Sequence, residues 1–182
     1  MQASTDRLRL RPLAEDDAPF YMALVNEPGW IRHIGQRNIH TIEAARTAIA
    51  QGAMTMQRER GFSLYLVLRD MDAVPIGICG LIKRDTLPEV DLGYAFLQAY
   101  CGHGYAIEAA RAVIAHARRD IGLTRLMAIT GPDNERSQAL LAKLGFVATD
   151  TPAPTAETIA FVLDLSRWRH LRCGWNIYRE LI

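Results

Sequence analysis

Cysteine is scarce in this sequence. Its three residues, Cys79, Cys101 and Cys173, form an odd set without a C-x-x-C pair, which argues against a disulfide framework and for a reducing cytosol. The five histidines are scattered, and none stands in an H-E-x-x-H or comparable ligand spacing, so no metal is expected. Neither sign of charge dominates: 21 Lys and Arg face 20 Asp and Glu, leaving no field that would draw nucleic acid or an anionic membrane. The opening "MQASTDRLRLRPL" contains no apolar h-region, and no apolar run approaches the roughly 18 residues that span a bilayer. A soluble, unprocessed, cytoplasmic protein with a small or local partner is expected. Repeats, long linkers and low-complexity tracts are also missing, so residues 1–182 read as one domain.

What is present is a core: 49% of the residues are hydrophobic. "RLRLRPL" alternates with period two, as a half-exposed strand does, with Pro12 at its end. "AEDDAPFYMALVN" follows as a helix with acids in its first turn and stops at the turn "NEPG". Thr41 is placed to cap a second helix, "IEAARTAIAQGAMTMQRE", weakened in its later half by Gly52. "FSLYLVLRD" and "VPIGICGLIKR" read as a hairpin across "DMDA", and "EVDLGYAFL" as a fourth strand.

Next comes "YCGHGYAIEAARAVIAHA", where two glycines run directly into a helix. Ala106, Ala109, Ala110, Val113, Ile114 and Ala117 give that helix a small-residue face suited to close packing on a sheet. "TRLMAIT" then reads as a buried strand, making a strand–helix–strand crossover with a parallel pair. A short helix, "NERSQALLAKLG", and two last strands, "FVATD" and "TIAFVLDL", complete an α/β domain with a mixed sheet.

A loop that leaves a parallel strand and opens a helix gathers unpaired backbone N–H groups at the positive end of the helix dipole, which is an anion site. Gly102 and Gly104 would let backbone approach a phosphate closely. A lone G-x-G also serves a plain strand-to-helix turn, so the pair by itself decides nothing. A Walker loop would need lysine after the last glycine, where the sequence reads "GYA". A dinucleotide fingerprint would need a third glycine or alanine where Ile107 stands.

Read together, "DLGYAFLQAYCGHGYAIEAARAVIAHA" and "ITGPDNERSQALLAKLGF" resemble the acyl-CoA loop and following strand–helix of the GCN5-related N-acetyltransferases (GNAT), most closely their RimJ/RimL branch. "DRLRLRPLAEDDAPFYMALVNEP" and "VPIGICGLI" resemble that branch too. The resemblance implies the GNAT fold, a mostly antiparallel sheet of about seven strands with a splayed parallel pair. It implies acetyl-CoA as co-substrate, with backbone of Gly102, His103, Gly104, Tyr105 and Ala106 at its pyrophosphate and backbone of Tyr94 and Phe96 along its pantetheine arm. Asn134 would bond the coenzyme, with Ser137 one turn along; Asn134 and Asp133 are equally placed as ordinary helix caps.

Two positions depart from the family. Ala99 stands where the family carries a glutamine or arginine that helps hold the loop, with Gln98 adjacent. Leu141 stands where many members carry the tyrosine that protonates the departing thiolate, leaving Ser137 as the nearest hydroxyl on that helix. For the base, period two puts Glu89, Asp91, Gly93 and Ala95 on one strand face, with bare Gly93 leaving room for a substrate. Asp91 is the favoured candidate and Glu89 the second; either would otherwise be a solvated surface acid, and His33 and His103 are weaker candidates. The expected reaction is acetyl transfer to a primary amine, of a protein N-terminus or a small molecule, in a ternary complex. A non-catalytic acyl-CoA-binding protein is the competing expectation, suggested by Leu141. Arg32, Arg37 and His33 hint at a partly acidic acceptor, and "TPAPTAE" carries no recognisable code. The aromatic C-terminal stretch 166–182 could extend the core, cover the acceptor site or join a homodimer.

Overall fold

Leu8 and Leu10, the apolar half of the "RLRLRP" alternation, are both fully buried, while Arg9 between them is exposed. A computed structural model describes residues 1–151 and 158–168, and in it the chain forms strands β1 (Ala3–Ser4), β2 (Leu8–Pro12), β3 (Leu64–Arg69), β4 (Pro75–Ile82), β5 (Asp91–Phe96), β6 (Arg125–Thr130), β7 (Val147–Thr149) and β8 (Ile159–Asp164). They build one sheet in the order β1-β2-β3-β4-β5-β6-β8-β7. Every neighbouring pair is antiparallel except β5 and β6, which are parallel. The sheet is the mixed, mostly antiparallel one expected, with eight strands rather than about seven; the addition is the two-residue β1, too short to show a period.

Among the described residues six α-helices flank it: α1 (Ala18–Val25), α2 (Pro28–His33), α3 (Ile42–Ile49), α4 (Thr55–Arg60), α5 (Tyr105–Arg119) and α6 (Glu135–Leu144). Ala109, Ala110, Val113, Ile114 and Ala117 of α5 are buried against Leu8, Val67, Ile76 and Leu92 on one face of the sheet. Their small side chains let the helix approach closely, and burying Val113 and Ile114 contributes about 1.5–3 kcal/mol each. The opposite face packs Leu66 and Ile78 against Leu24, Ala45 and Ile49 of α1 and α3.

Two local readings need correction and a third holds. The acids Glu15–Asp17 form a 3-10 turn before α1 rather than its first turn, and Asp17 is buried, held bidentate by Arg11 at 2.7 and 2.8 Å. Pro28, expected to close a turn, instead occupies the first position of α2, where a missing N–H costs nothing. Thr41 does cap α3, accepting from the Ala44 amide at 3.1 Å, and α3 runs into α4 through a π-helical segment, Ala50–Met54, that contains Gly52. The loop "PAPTAE" and residues 169–182, including Cys173, lie outside the described residues. Among those described, no helix is long and apolar enough to cross a membrane.

Candidate active site

β5 pairs along its length with β4, but with β6 only at Asp91 opposite Met127, where the Met127 amide donates to the Val90 carbonyl at 2.9 Å. β6 pairs with β8 from Arg125 through Thr130 and so does not follow β5. The two parallel strands therefore part after Asp91. Backbone groups alternate sides along a strand, so those of Leu92, Tyr94 and Phe96 face the gap as Val90 does, and Tyr94 and Phe96 lie beyond the last ladder pair. The residues expected to present main-chain groups there are the ones so placed.

The side chain of Tyr94, for which the sequence suggested only a backbone role, reaches toward α6. Its phenolic oxygen lies 2.7 Å from the Ser137 hydroxyl, and the Ser137 amide donates to Asn134 Oδ1 at 3.1 Å. Ser137 thus meets Tyr94 through its hydroxyl and Asn134 through its backbone amide. Burial pushes the Tyr94 phenol up to about 12, against a smaller opposing effect of the Ser137 bond, so it holds its proton throughout the physiological range. Leu141 faces the core with 0% exposure and supplies no donor. Asn134 is the α6 cap through its oxygen, which leaves its amide nitrogen as a donor.

Asp91 and Glu89 separate. Asp91, the first residue of β5, is 1% exposed, and Arg84 Nε reaches its two oxygens at 3.1 and 3.2 Å. Burial raises the carboxyl above its ordinary range, and the charge of Arg84 offsets part of that. It is no solvated surface acid. Glu89 precedes the strand in a bend and is half-buried. Gly93 does not leave an open approach either, because a Cβ there would stand 2.7 Å from Ile82 Cδ1. Arg84 was missed in the sequence; the only available signal was an opposite charge just beyond the strand that pairs Ile82 with Asp91.

At the far end of β5 a 3-10 turn, Gln98–Tyr100, leads through Cys101 to the glycine loop and α5. Gly102 and Gly104 have φ of 81° and 80°, a left-handed conformation that explains both glycines. The amides of Tyr105, Ala106 and Ile107 precede the first helical bond, from Glu108 N to Gly104 O, and are free of the helical ladder. His103 Nδ1 lies 2.9 Å from the Cys101 carbonyl and its ring stacks on Tyr105, a loop-bracing arrangement. Ala99 is exposed, and the Gln98 amide donates to Glu27 at 3.3 Å. Arg32 of α2 pairs with Asp133 at 3.2 Å, so α2 reaches across toward the start of α6, and that charge is engaged within the chain; Arg37 is exposed. His33 is half-buried at the end of α2, and its Nδ1 has no hydrogen-bond partner. Among the described residues no group of three or more His, Cys, Asp or Glu side chains gathers to hold a metal.

A parted parallel pair beside a free helix N-terminus fits an extended thiol ligand carrying a pyrophosphate, with main-chain groups for the arm and amides for the anion. Comparison with known proteins identifies the family. The model of the acetyltransferase (GNAT) domain matches residues 7–147. An uncharacterized N-acetyltransferase of Bacillus subtilis, YoaA, is 31% identical over 144 residues, covering 78% of this chain and 80% of that protein. An acetyltransferase from Agrobacterium tumefaciens superposes with a TM-score of 0.77 at 24% identity, covering 90% and 94% of the two chains. RimL, a ribosomal L7/L12 alpha-N-protein acetyltransferase solved with coenzyme A, superposes with a TM-score of 0.75 at 16% identity, covering 90% and 98%. The chain belongs to the GNAT acetyltransferases, in their RimJ/RimL-like family, and is an N-acetyltransferase of the kind that takes its acyl group from acyl-CoA.

Proposed function

We propose that this protein transfers the acetyl group of acetyl-CoA directly to a primary amine, in a ternary complex formed across the gap between β5 and β6. The observation that carries the reading is the hydrogen bond between the Tyr94 phenol, on β5 beyond its last pairing with β6, and the Ser137 hydroxyl of α6. Acetyl-CoA supplies an activated thioester. The loop from Gly102 to Ala106 holds its pyrophosphate, and the backbone of Tyr94 and Phe96 aligns its arm and stabilises the oxyanion. An alkyl amine of pKa near ~10 is almost wholly protonated at neutral pH, so Asp91, buried and with its carboxyl raised by that burial, takes the proton through water; Glu89 is the second candidate. The amine nitrogen bonds to the carbonyl carbon and the carbon–sulfur bond breaks. The thiolate then takes a proton relayed through the Ser137 and Tyr94 hydroxyls, and solvent restores the proton to that pair.

This pair replaces what Leu141 cannot supply, and it favours catalysis over mere acyl-CoA binding. An α-amino group at a protein N-terminus is the acceptor class favoured by the likeness to RimL. The test is thiol release from acetyl-CoA on a panel of N-terminal peptides, aminoglycosides, polyamines and amino acids, run beside thermal shifts. We expect acetyl-CoA, but not ATP or NAD, to raise the melting temperature, and Gly104→Glu to abolish the shift. Stabilisation without turnover on the whole panel would return the protein to a binding role.

A further inference from the structure

Ala99 leaves the coenzyme loop without the side chain that would hold it, and the chain replaces that support from its other end. Arg7, just before β2, donates through Nη1 to the His103 carbonyl at 3.0 Å. Its Nε lies 2.7 Å and its Nη2 2.6 Å from Glu108 Oε2, and its backbone amide donates to Glu108 Oε1 at 3.0 Å. Thr5 Oγ1 donates to the same Oε1, and the Arg7 guanidinium lies 4.7 Å from the centre of the Tyr105 ring. One arginine therefore touches the loop, the first residue of α5 and a carboxylate in its first turn.

We propose that Arg7 is a positioning residue that aims the loop amides at the pyrophosphate. A planar trans peptide points its N–H opposite its C=O. Holding the His103 carbonyl on Arg7 thus turns the Gly104 N–H away from β2 and outward. Glycine at 104 would otherwise let that peptide flip at little cost, since its φ of 80° is one of several open to it. Arg7 also engages Glu108, whose carboxylate would otherwise compete with a phosphate for the positive end of α5. Two charge-assisted bonds to one carboxylate oxygen, with the Arg7 amide on the other, hold that geometry firmly.

The inference rests on reading Gly102–Ala106 as the pyrophosphate loop, and pantetheine, which has the arm but no pyrophosphate, separates the two. The affinity of the full chain for CoA is measured by calorimetry and for pantetheine by NMR titration, in the parent, Arg7→Ala and Arg7→Lys. Arg7→Lys keeps a charge against Glu108, and so the fold, but cannot serve both partners. Both variants are expected to bind CoA about tenfold or more weakly and pantetheine within about twofold of the parent. Unchanged CoA affinity, or equal losses on both ligands, overturns the role of Arg7. A parent that binds CoA no more tightly than pantetheine overturns the loop reading and this inference with it.

Discussion

The Tyr94 phenol and the Ser137 hydroxyl, 2.7 Å apart, join β5 to α6, the helix that follows β6. If they deliver the thiolate's proton, Tyr94→Phe and Ser137→Ala should each lower kcat by about 10²-fold, near the low end for general acids because a thiol of pKa near ~8.5 already leaves readily. CoA affinity should stay within about twofold. The measurement is steady-state kinetics with calorimetry alongside; an undiminished kcat in both variants would make the pair a structural tie.

Asn134 has two separable tasks. Its oxygen caps α6, and its nitrogen is proposed to meet the coenzyme. Asn134→Asp retains the cap and should melt like the parent while losing CoA affinity, because a carboxylate has no donor and repels phosphate. Asn134→Ala should lose about 1 kcal/mol of stability and a further 0.5–1.5 kcal/mol of coenzyme binding. Full CoA affinity in the aspartate variant would leave Asn134 as a cap alone.

Asp91→Asn should slow acetyl transfer by about 10²- to 10⁴-fold, with the deficit shrinking as pH rises and free amine becomes abundant. Because burial raises the Asp91 carboxyl, the parent's rate should begin to rise at a higher pH than an ordinary carboxylate would give. A pH–rate profile of both proteins checks this, and a loss constant across pH would assign Asp91 to holding Arg84 rather than to proton transfer.

His116 makes stability pH-dependent. Its Nδ1 lies 2.7 Å from Asp120, its ring meets Tyr65 edge-on, and burial lowers its pKa against the opposing pull of Asp120. A histidine whose folded pKa lies below the unfolded value of about 6.5 contributes stability above that pH, and loses it as pH falls toward the folded pKa. Melting temperature should therefore drop between neutral pH and mildly acidic pH, and His116→Gln should flatten that part of the curve. An unaltered slope in the variant would assign the drop to other groups.

Much of this was legible because local pattern and tertiary role coincide. The small-residue face of α5, the glycine pair and the Thr41 cap each announce themselves within a few residues. Pro28 was misread because proline can end one element or begin the next, and only the residues that α2 packs against decide which. The buried carboxylate of Asp91 is met by Arg84, and the Tyr94 phenol by Ser137, 43 positions away. Such partners become neighbours only through the register of the sheet and the packing of helices upon it, for which a single sequence offers no local mark.

Arg7 and Glu108 are 101 positions apart, and that separation bears on how the protein folds. Closing so long a loop carries an entropic penalty that local helices never meet, and contacts of this range form slowly. α5 can gather its turns early, whereas the loop at its mouth acquires its final shape only when the first strands have docked beside it. Coenzyme binding during refolding should therefore lag the return of helical signal, and its onset would time the docking of the first strands beside α5.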